Sequence, residues 1–299
     1  MTVPAVPVPG APPAALPNIL PGIGPDILLF RHAATDMGDG PRRYIGRTEV
    51  PLSTEGRARA AAWRPRLAGL HVVGAYASPL QRARETARLM LGQGEVPDTP
   101  DAPDTSCMRS LAAIPLTILD DLAEMDLGEW EGQVQMQVRE ARPDAYARRG
   151  REPWTFRPPG GECCADVAAR GLRALAAMWW DCSGTGGWPG NGGRGVGTAG
   201  AEGQNATAGQ QCLPDCGASH GHVPVIVAVS HAGLIRSVLC ALGHMGREEL
   251  LTLPVRHLHC VRLRRHAPEG GGTAAATAPT SAGSGASAAW SVVSPDWQP

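Results

Sequence analysis

Short apolar runs alternating with helical patterns predict a three-layer α/β/α sandwich built on a mostly parallel sheet. Three observations carry this fold class. The runs at 26–30, 71–77 and 223–229 are apolar and of strand length. Each is followed by a longer segment with helical spacing, as parallel strands joined by crossover helices require. The 299 residues, 43% of them hydrophobic, suffice for one large buried core.

The first strand, 26–30, ends in Arg31-His32. Residues 53–70 read as a helix, with alanines and Trp63 on one side, arginines on the other and a bend at Pro65. The strand at 71–77 leads into Ser78-Pro79-Leu80-Gln81, which offers a capping hydroxyl, a first-turn proline and a glutamine able to reach back. The helix that follows aligns Leu80, Ala83, Ala87, Met90 and Leu91 on one face and stops at Gly92. The strand at 223–229 passes through Ser230-His231-Ala232-Gly233 into a helix at 234–242. Residues 256–263 and 290–293 read as a late hairpin. Ligands of such sheets gather at the C-terminal ends of the strands, where Arg31-His32 and Ser230-His231 both fall.

Composition removes several function classes. With 27 basic against 28 acidic residues the net charge is -1, so bulk charge does not tether the chain to nucleic acid or a membrane. Every basic residue is arginine, which excludes a lysine Schiff base and a P-loop. No stretch approaches the roughly 20 apolar residues of a membrane span. Residues 1–25, rich in proline and alanine, read as an extended tail, not a signal peptide. Residues 26–299 then form one domain with flexible insertions at about 181–222 and 267–289. The 8 cysteines form no dense framework, which implies a reducing, cytoplasmic setting. Cys212, Cys216, His220 and His222 have a four-ligand count for zinc, but their spacing is unlike common zinc pairs and reads as incidental. No metal or cofactor is expected, and oligomeric state is not legible.

A single histidine at a strand end is more often structural than catalytic. His32 and His231 reach the same expected sheet edge from distant segments, and small residues follow each ring. Arg82 opposes the macrodipole in the first turn of its helix, at a cost of about 0.3–1 kcal/mol unless an anion is near. The side chain either extends into solvent or shares an anion with Arg31 and the helix terminus. The acidic stretch 120–132 contains six carboxylates, and spacing selects none of them.

Five separated segments resemble motifs of the histidine phosphatase superfamily, phosphoglycerate mutase-like branch. They are Leu29-Phe30-Arg31-His32-Ala33-Ala34-Thr35, the stretch 44–56 (YIGRTEVPLSTEG), 78–87 (SPLQRARETA), 122–132 (LAEMDLGEWEG) and Val229-Ser230-His231-Ala232-Gly233. A weaker sixth is 159–167 (PGGECCADV). The resemblance implies a phosphoglycerate mutase-like fold and a set of roles. His32 would be the nucleophile that becomes phosphorylated, and Arg31, Arg82 and His231 would hold the phosphoryl oxygens. Glu124 would be the proton donor to the leaving group and Thr35 a phosphate contact. Those residue types suit the chemistry. The loose transition state of phosphoryl transfer spreads charge over three oxygens, which guanidinium forks and a second imidazole can receive. The arginines would also keep His32 neutral, and a carbonyl on its Nδ1–H would leave Nε2 free to attack.

Three departures stand out: Ala33 and Ala232 replace glycines, and 36–40 lacks the asparagine found in many members. The stretch 127–132 resembles the phosphatase type, including α-ribazole phosphatase. The expected partner is therefore a small phosphomonoester such as α-ribazole phosphate or a sugar phosphate, hydrolysed without a metal. The alternatives are a phosphoglycerate mutase-type phosphotransferase and a non-catalytic, phosphate-binding regulator. Specificity is expected from 36–41 and 133–156.

Overall fold

The computed structural model describes residues 24–93, 106–183, 223–266 and 290–294. Most of the expected tail and insertions, with Cys212, Cys216, His220 and His222, lie outside the described residues.

Six strands make one sheet: β1 Asp26–Arg31, β2 Val72–Ala77, β3 Leu116–Ile118, β4 Val225–Ser230, β5 Cys260–Arg265 and β6 Trp290–Ser294, in the order β3-β2-β4-β1-β5-β6. The first four are parallel, whereas β5 runs antiparallel to β1 and β6 antiparallel to β5, which forms the late hairpin. β1 and β4 lie centrally and are buried on both faces, which explains their nearly continuous apolar sequence.

Alternation along β1 divides the core in two. Leu28 and Phe30 pack on the side of α1 Thr54–Ala61, α2 Arg64–Ala68, α3 Gln81–Leu91 and α4 Ser106–Ala112. Ile27 and Leu29 face two later helices, which we number after the cap elements α5 Gln135–Ala141 and α6 Pro143–Arg151: α7 Cys164–Cys182 and α8 Ala232–Ala241. The cap has its own small core, in which Trp130 sits 5.2 Å from Tyr44 and 5.4 Å from Phe156.

Two expectations need correction. The helix at 53–70 is two helices. Ser53 caps α1 by accepting the Gly56 N–H at 3.0 Å, and α2 restarts with Pro65 in its first turn. Proline cannot donate to the carbonyl one turn back and its ring crowds that oxygen, so the break falls at Ala62-Trp63. The second correction is at α3, which begins at Gln81, with Leu80 in place of Ser78 at the cap position. Its Gln81 N–H donates to the Glu49 carboxylate at 2.8 Å. Gly92 ends the helix as expected, at φ +73°.

Candidate active site

The register of β1 against β4 sets Arg31 opposite Ser230, so His32 and His231 leave the sheet from the same edge. The His32 N–H donates to the Ser230 carbonyl at 2.9 Å, and the Ser78 N–H donates to that of Val229 at 3.0 Å. The imidazoles of His32 and His231 lie 5.1 Å apart between ring centroids, and both are buried.

His32 Nδ1 is 2.8 Å from the Ala33 carbonyl oxygen. A carbonyl only accepts, so the proton resides on Nδ1 and Nε2 keeps its lone pair. Burial, followed by the charge on Arg31, drives this ring well below the ordinary imidazole range, outweighing the opposing Ala33 hydrogen bond. The sequence reading credited the arginines with that effect; burial is the larger cause. His231 is also held well below that range, by burial first and His32 next. Its Nε2 lies 2.7 Å from Ser78 Oγ, which is what the Ser78 hydroxyl does in place of capping α3.

Arg82 does not extend into solvent. Only 2% exposed, it turns inward and donates to the carbonyls of Gly46 at 2.7 Å and Thr48 at 2.8 Å. At the α3 terminus the Gln81 N–H is taken by Glu49, whose negative charge also favours the charged Arg82 guanidinium. Glu131 fixes the segment that receives Arg82 by accepting from the Thr48 hydroxyl at 2.6 Å, the Thr48 N–H at 2.8 Å and the Gly46 N–H at 2.9 Å. Burial pushes the Glu131 carboxyl up, but those bonds prevail and hold it below its usual range. Arg31 donates to the Val255 carbonyl at 2.6 Å. Burial lowers both Arg31 and Arg82, against the opposing charge of Glu124.

Glu124 Oε1 accepts the Met125 N–H at 2.9 Å, and Oε2 accepts the Gly233 N–H at 3.1 Å. A Cβ on Gly233 would lie 2.3 Å from Glu124 Oε1, so the carboxylate occupies room that only glycine provides. Behind it, Arg170 donates to the Ala123 carbonyl at 2.6 Å, the Glu124 carbonyl at 3.0 Å and the Glu162 carboxylate at 2.9 Å. The weakest sequence motif, through Glu162, thus braces the strongest acid candidate.

His32, Arg31, Arg82, Glu124 and His231 therefore converge. Thr35 stands on the adjoining loop, half-buried and bridged to Leu52, and its hydroxyl makes no hydrogen bond to the cluster among the described residues. Sequence reasoning missed His257, whose ring lies 5.6 Å from that of His32. Burial, then Arg31 and Arg59, push this imidazole down to about 4. The unusual run Arg256-His257-Leu258-His259 ahead of β5 was the available signal. Leu258 is left-handed at φ 60°, costing about 1–2 kcal/mol. Its N–H bond to the Arg31 carbonyl at 3.1 Å holds the turn against the site.

Two buried nitrogens in the cluster, Arg31 Nε and His231 Nδ1, have no hydrogen-bond partner among the described residues. Each such group costs about 1–3 kcal/mol, which an oxyanion accepting from both would recover. The cluster pairs a neutral imidazole with fixed positive donors and one carboxylate, a set suited to receiving a phosphoryl group.

Comparison with known proteins identifies the family. The model of the histidine phosphatase superfamily (branch 1) matches residues 27–102 and 105–184, more than half of the chain. A 2,3-bisphosphoglycerate-dependent phosphoglycerate mutase of Gloeobacter violaceus is 32% identical over 147 residues, 49% of this chain and 60% of that one. A glucosyl-3-phosphoglycerate phosphatase of Mycolicibacterium vanbaalenii is 33% identical over 147 residues, 49% of this chain and 56% of that one. The matches span from 34% to 60% of the length of these and other curated relatives. The solved structure of mycobacterial hydrolase 1 shares the fold, with a TM-score of 0.59 at 21% identity over 92% of this chain and all (100%) of that one. Those matched segments carry Arg31, His32, Arg82 and Glu124, His231 lies beyond them, and the chain belongs to the histidine phosphatase superfamily, branch 1.

Proposed function

We propose that the chain hydrolyses small phosphomonoesters through a phosphohistidine formed on His32. The observation that carries this reading is the Ala33 carbonyl bond to Nδ1, which leaves a buried, neutral Nε2 among two guanidiniums and a second imidazole. In the first step Nε2 attacks phosphorus, the bond from phosphorus to the ester oxygen breaks, and Glu124 gives that oxygen a proton. Arg31, Arg82 and His231 receive the negative charge of the three spread oxygens, with Thr35 at the margin. In the second step water attacks the phosphohistidine, Glu124 takes back a proton, and the N–P bond breaks to release phosphate.

The leaving group belongs on the Glu124 side, since attack and departure are roughly in line. A narrow crevice of about 80 Å³ lies there, walled by Met125, Leu127, Phe156 and Leu250, with Arg149 and Arg236 alongside. Arg149 comes from α6 within the 133–156 stretch expected to set specificity. These walls support a small leaving group with its own acidic or hydroxyl functions, the alcohol of a sugar phosphate or of a phosphorylated sugar acid. They give less support to the bulkier α-ribazole phosphate. The two relatives named for phosphoglycerate chemistry point the same way. The relative named as a mutase keeps phosphotransfer as the second reading.

Phosphate release from 4-nitrophenyl phosphate and a panel of sugar phosphates and phosphorylated sugar acids tests the proposal. His32→Ala is expected to lower kcat by on the order of 10³-fold or more, and acid-labile phosphate is expected to be trapped on His32 of the intact chain. Wild-type turnover by His32→Ala would refute it. Isomerisation of phosphoglycerate without phosphate release would establish the mutase reading instead.

A further inference from the structure

A second cavity, of about 610 Å³, has His257 in its wall. Its lining includes Arg59 and Arg66 from the α1–α2 arm and Arg256, His257 and His259 from the turn before β5. It has no lining residue in common with the crevice beside Glu124. The floor is fixed, because Trp63 is buried edge-on against Phe30 of β1, with ring centroids 5.0 Å apart. The lining contains three arginines and no carboxylate. Arg59 meets Glu55 at 3.7 Å in a largely exposed pair, Arg66 lies over the Trp63 ring at 5.2 Å, and Arg256 has no carboxylate partner among the described residues. Like charges held around one hollow repel unless an anion enters.

We propose that this groove binds a small polyanion of the pyrophosphate or bisphosphorylated-metabolite class, separately from the substrate. Arg59, Arg66 and Arg256 form the charged rim, and His257 is the wall shared with His32. In-line transfer assigns the leaving group to the Glu124 side, so the groove on the flank of His32 is free for another ligand. The multiply charged class follows from the number of guanidiniums, each able to donate two parallel bonds to an oxyanion. The proposal does not depend on turnover: a chain that binds pyrophosphate here but releases no phosphate refutes the hydrolase reading and leaves this one intact.

Pyrophosphate titrated into the full chain, with orthovanadate present to occupy the His32 pocket, tests it by histidine-ring NMR and calorimetry. Saturable binding that moves the His257 resonances despite vanadate is expected. The double substitution Arg59→Gln/Arg256→Gln is expected to weaken it about tenfold, one lost charge-assisted contact or more. Three results would overturn the proposal: displacement of pyrophosphate by vanadate, a linear unsaturable shift of His257, or affinity within about twofold of wild type in a double variant with native thermal melting.

Discussion

The two ends of β1 treat buried charge in opposite ways. At its start Asp26, 1% exposed, meets Arg262 at 2.6 Å and Arg264 at 2.8 Å. At its finish Arg31 and Arg82 are directed at carbonyl oxygens, with no ion pair to a carboxylate among the described residues. Two buried nitrogens there have no hydrogen-bond partner among the described residues. A neutralised pair holds strands together and offers a ligand nothing. Guanidiniums anchored only by neutral oxygens keep their positive potential and spare donors for an incoming dianion. The fold places its closed charge cluster on the strands' N-terminal side and its open one at the C-terminal edge, where parallel sheets receive ligands.

The sharpest way to break this contrast is to remove one charge from each end. Arg82→Ala is expected to lower kcat on phosphomonoesters by about 10²–10³-fold, as loss of one oxyanion donor does. Asp26→Ala is expected to leave kcat per folded molecule unchanged but to cost about 3–5 kcal/mol of stability, since two arginines then lose their buried counter-charge. Steady-state kinetics and urea melts on both variants make the check. Exchange of the two outcomes would mean that the open end is structural and the closed end functional.

A smaller effect is expected from Gly233→Ala. The added Cβ would displace Glu124 Oε1, which it would otherwise approach to 2.3 Å. Restoring an ordinary contact moves the carboxylate by about 1 Å, and such a misplacement of a proton donor costs up to about 10²-fold in kcat. The loss should be smaller for esters with good leaving groups, which need less protonation. An equal loss for 4-nitrophenyl phosphate and for an alkyl phosphate would argue against Glu124 as the acid.

The open end should also leave a mark on stability between pH 7 and 5. His32, His231 and His257 all have imidazoles lowered from 6.5 by burial, so these rings stay uncharged in the folded chain there while in the unfolded chain they bind protons. The unfolded state therefore gains as pH falls, and stability present above 6.5 is lost on acidification. For His257 the loss levels off near 4, where the folded ring is also protonated. Urea midpoints measured across this window should fall with pH, and His257→Gln should reduce the slope. A flat profile would show that these rings are not held neutral.

How much of this was legible in the sequence follows from the range of the interactions. The central strands and the loops bearing His32 and His231 were readable, because apolar runs ending in polar residues are local patterns. The break at Ala62-Trp63 was misplaced only slightly, since Pro65 marks it but does not fix the last residue of α1. The cap of α3 was not readable, because Glu49 reaches it from 32 positions away and frees Ser78 for His231. Arg82 was identified through its family motif, but its inward turn depends on two carbonyls that only the folded loop presents. His257 was hidden for the same reason, since nothing local announces that the turn before β5 folds over Arg31.

The mildest prediction concerns a third kind of charge, paired but wet. Arg173 on α7 grips Asp121 with two bonds, at 3.0 and 3.2 Å, the same two-pronged arrangement that Arg264 makes on Asp26 at 2.8 Å. Its side chain is 57% exposed and that of Asp121 38%, so water already solvates both groups. Coulomb attraction in that setting is screened and offset by the entropy of fixing a long side chain. Arg173→Ala should therefore cost no more than about 1 kcal/mol, less still at high salt, with kcat unchanged. The effect is read as a shift in urea midpoint at low and high ionic strength. A cost equal to that of Asp26→Ala would mean that pairing geometry, not burial, sets what a charge pair contributes here, and the contrast between the two ends of β1 would then have to rest on the unpartnered nitrogens alone.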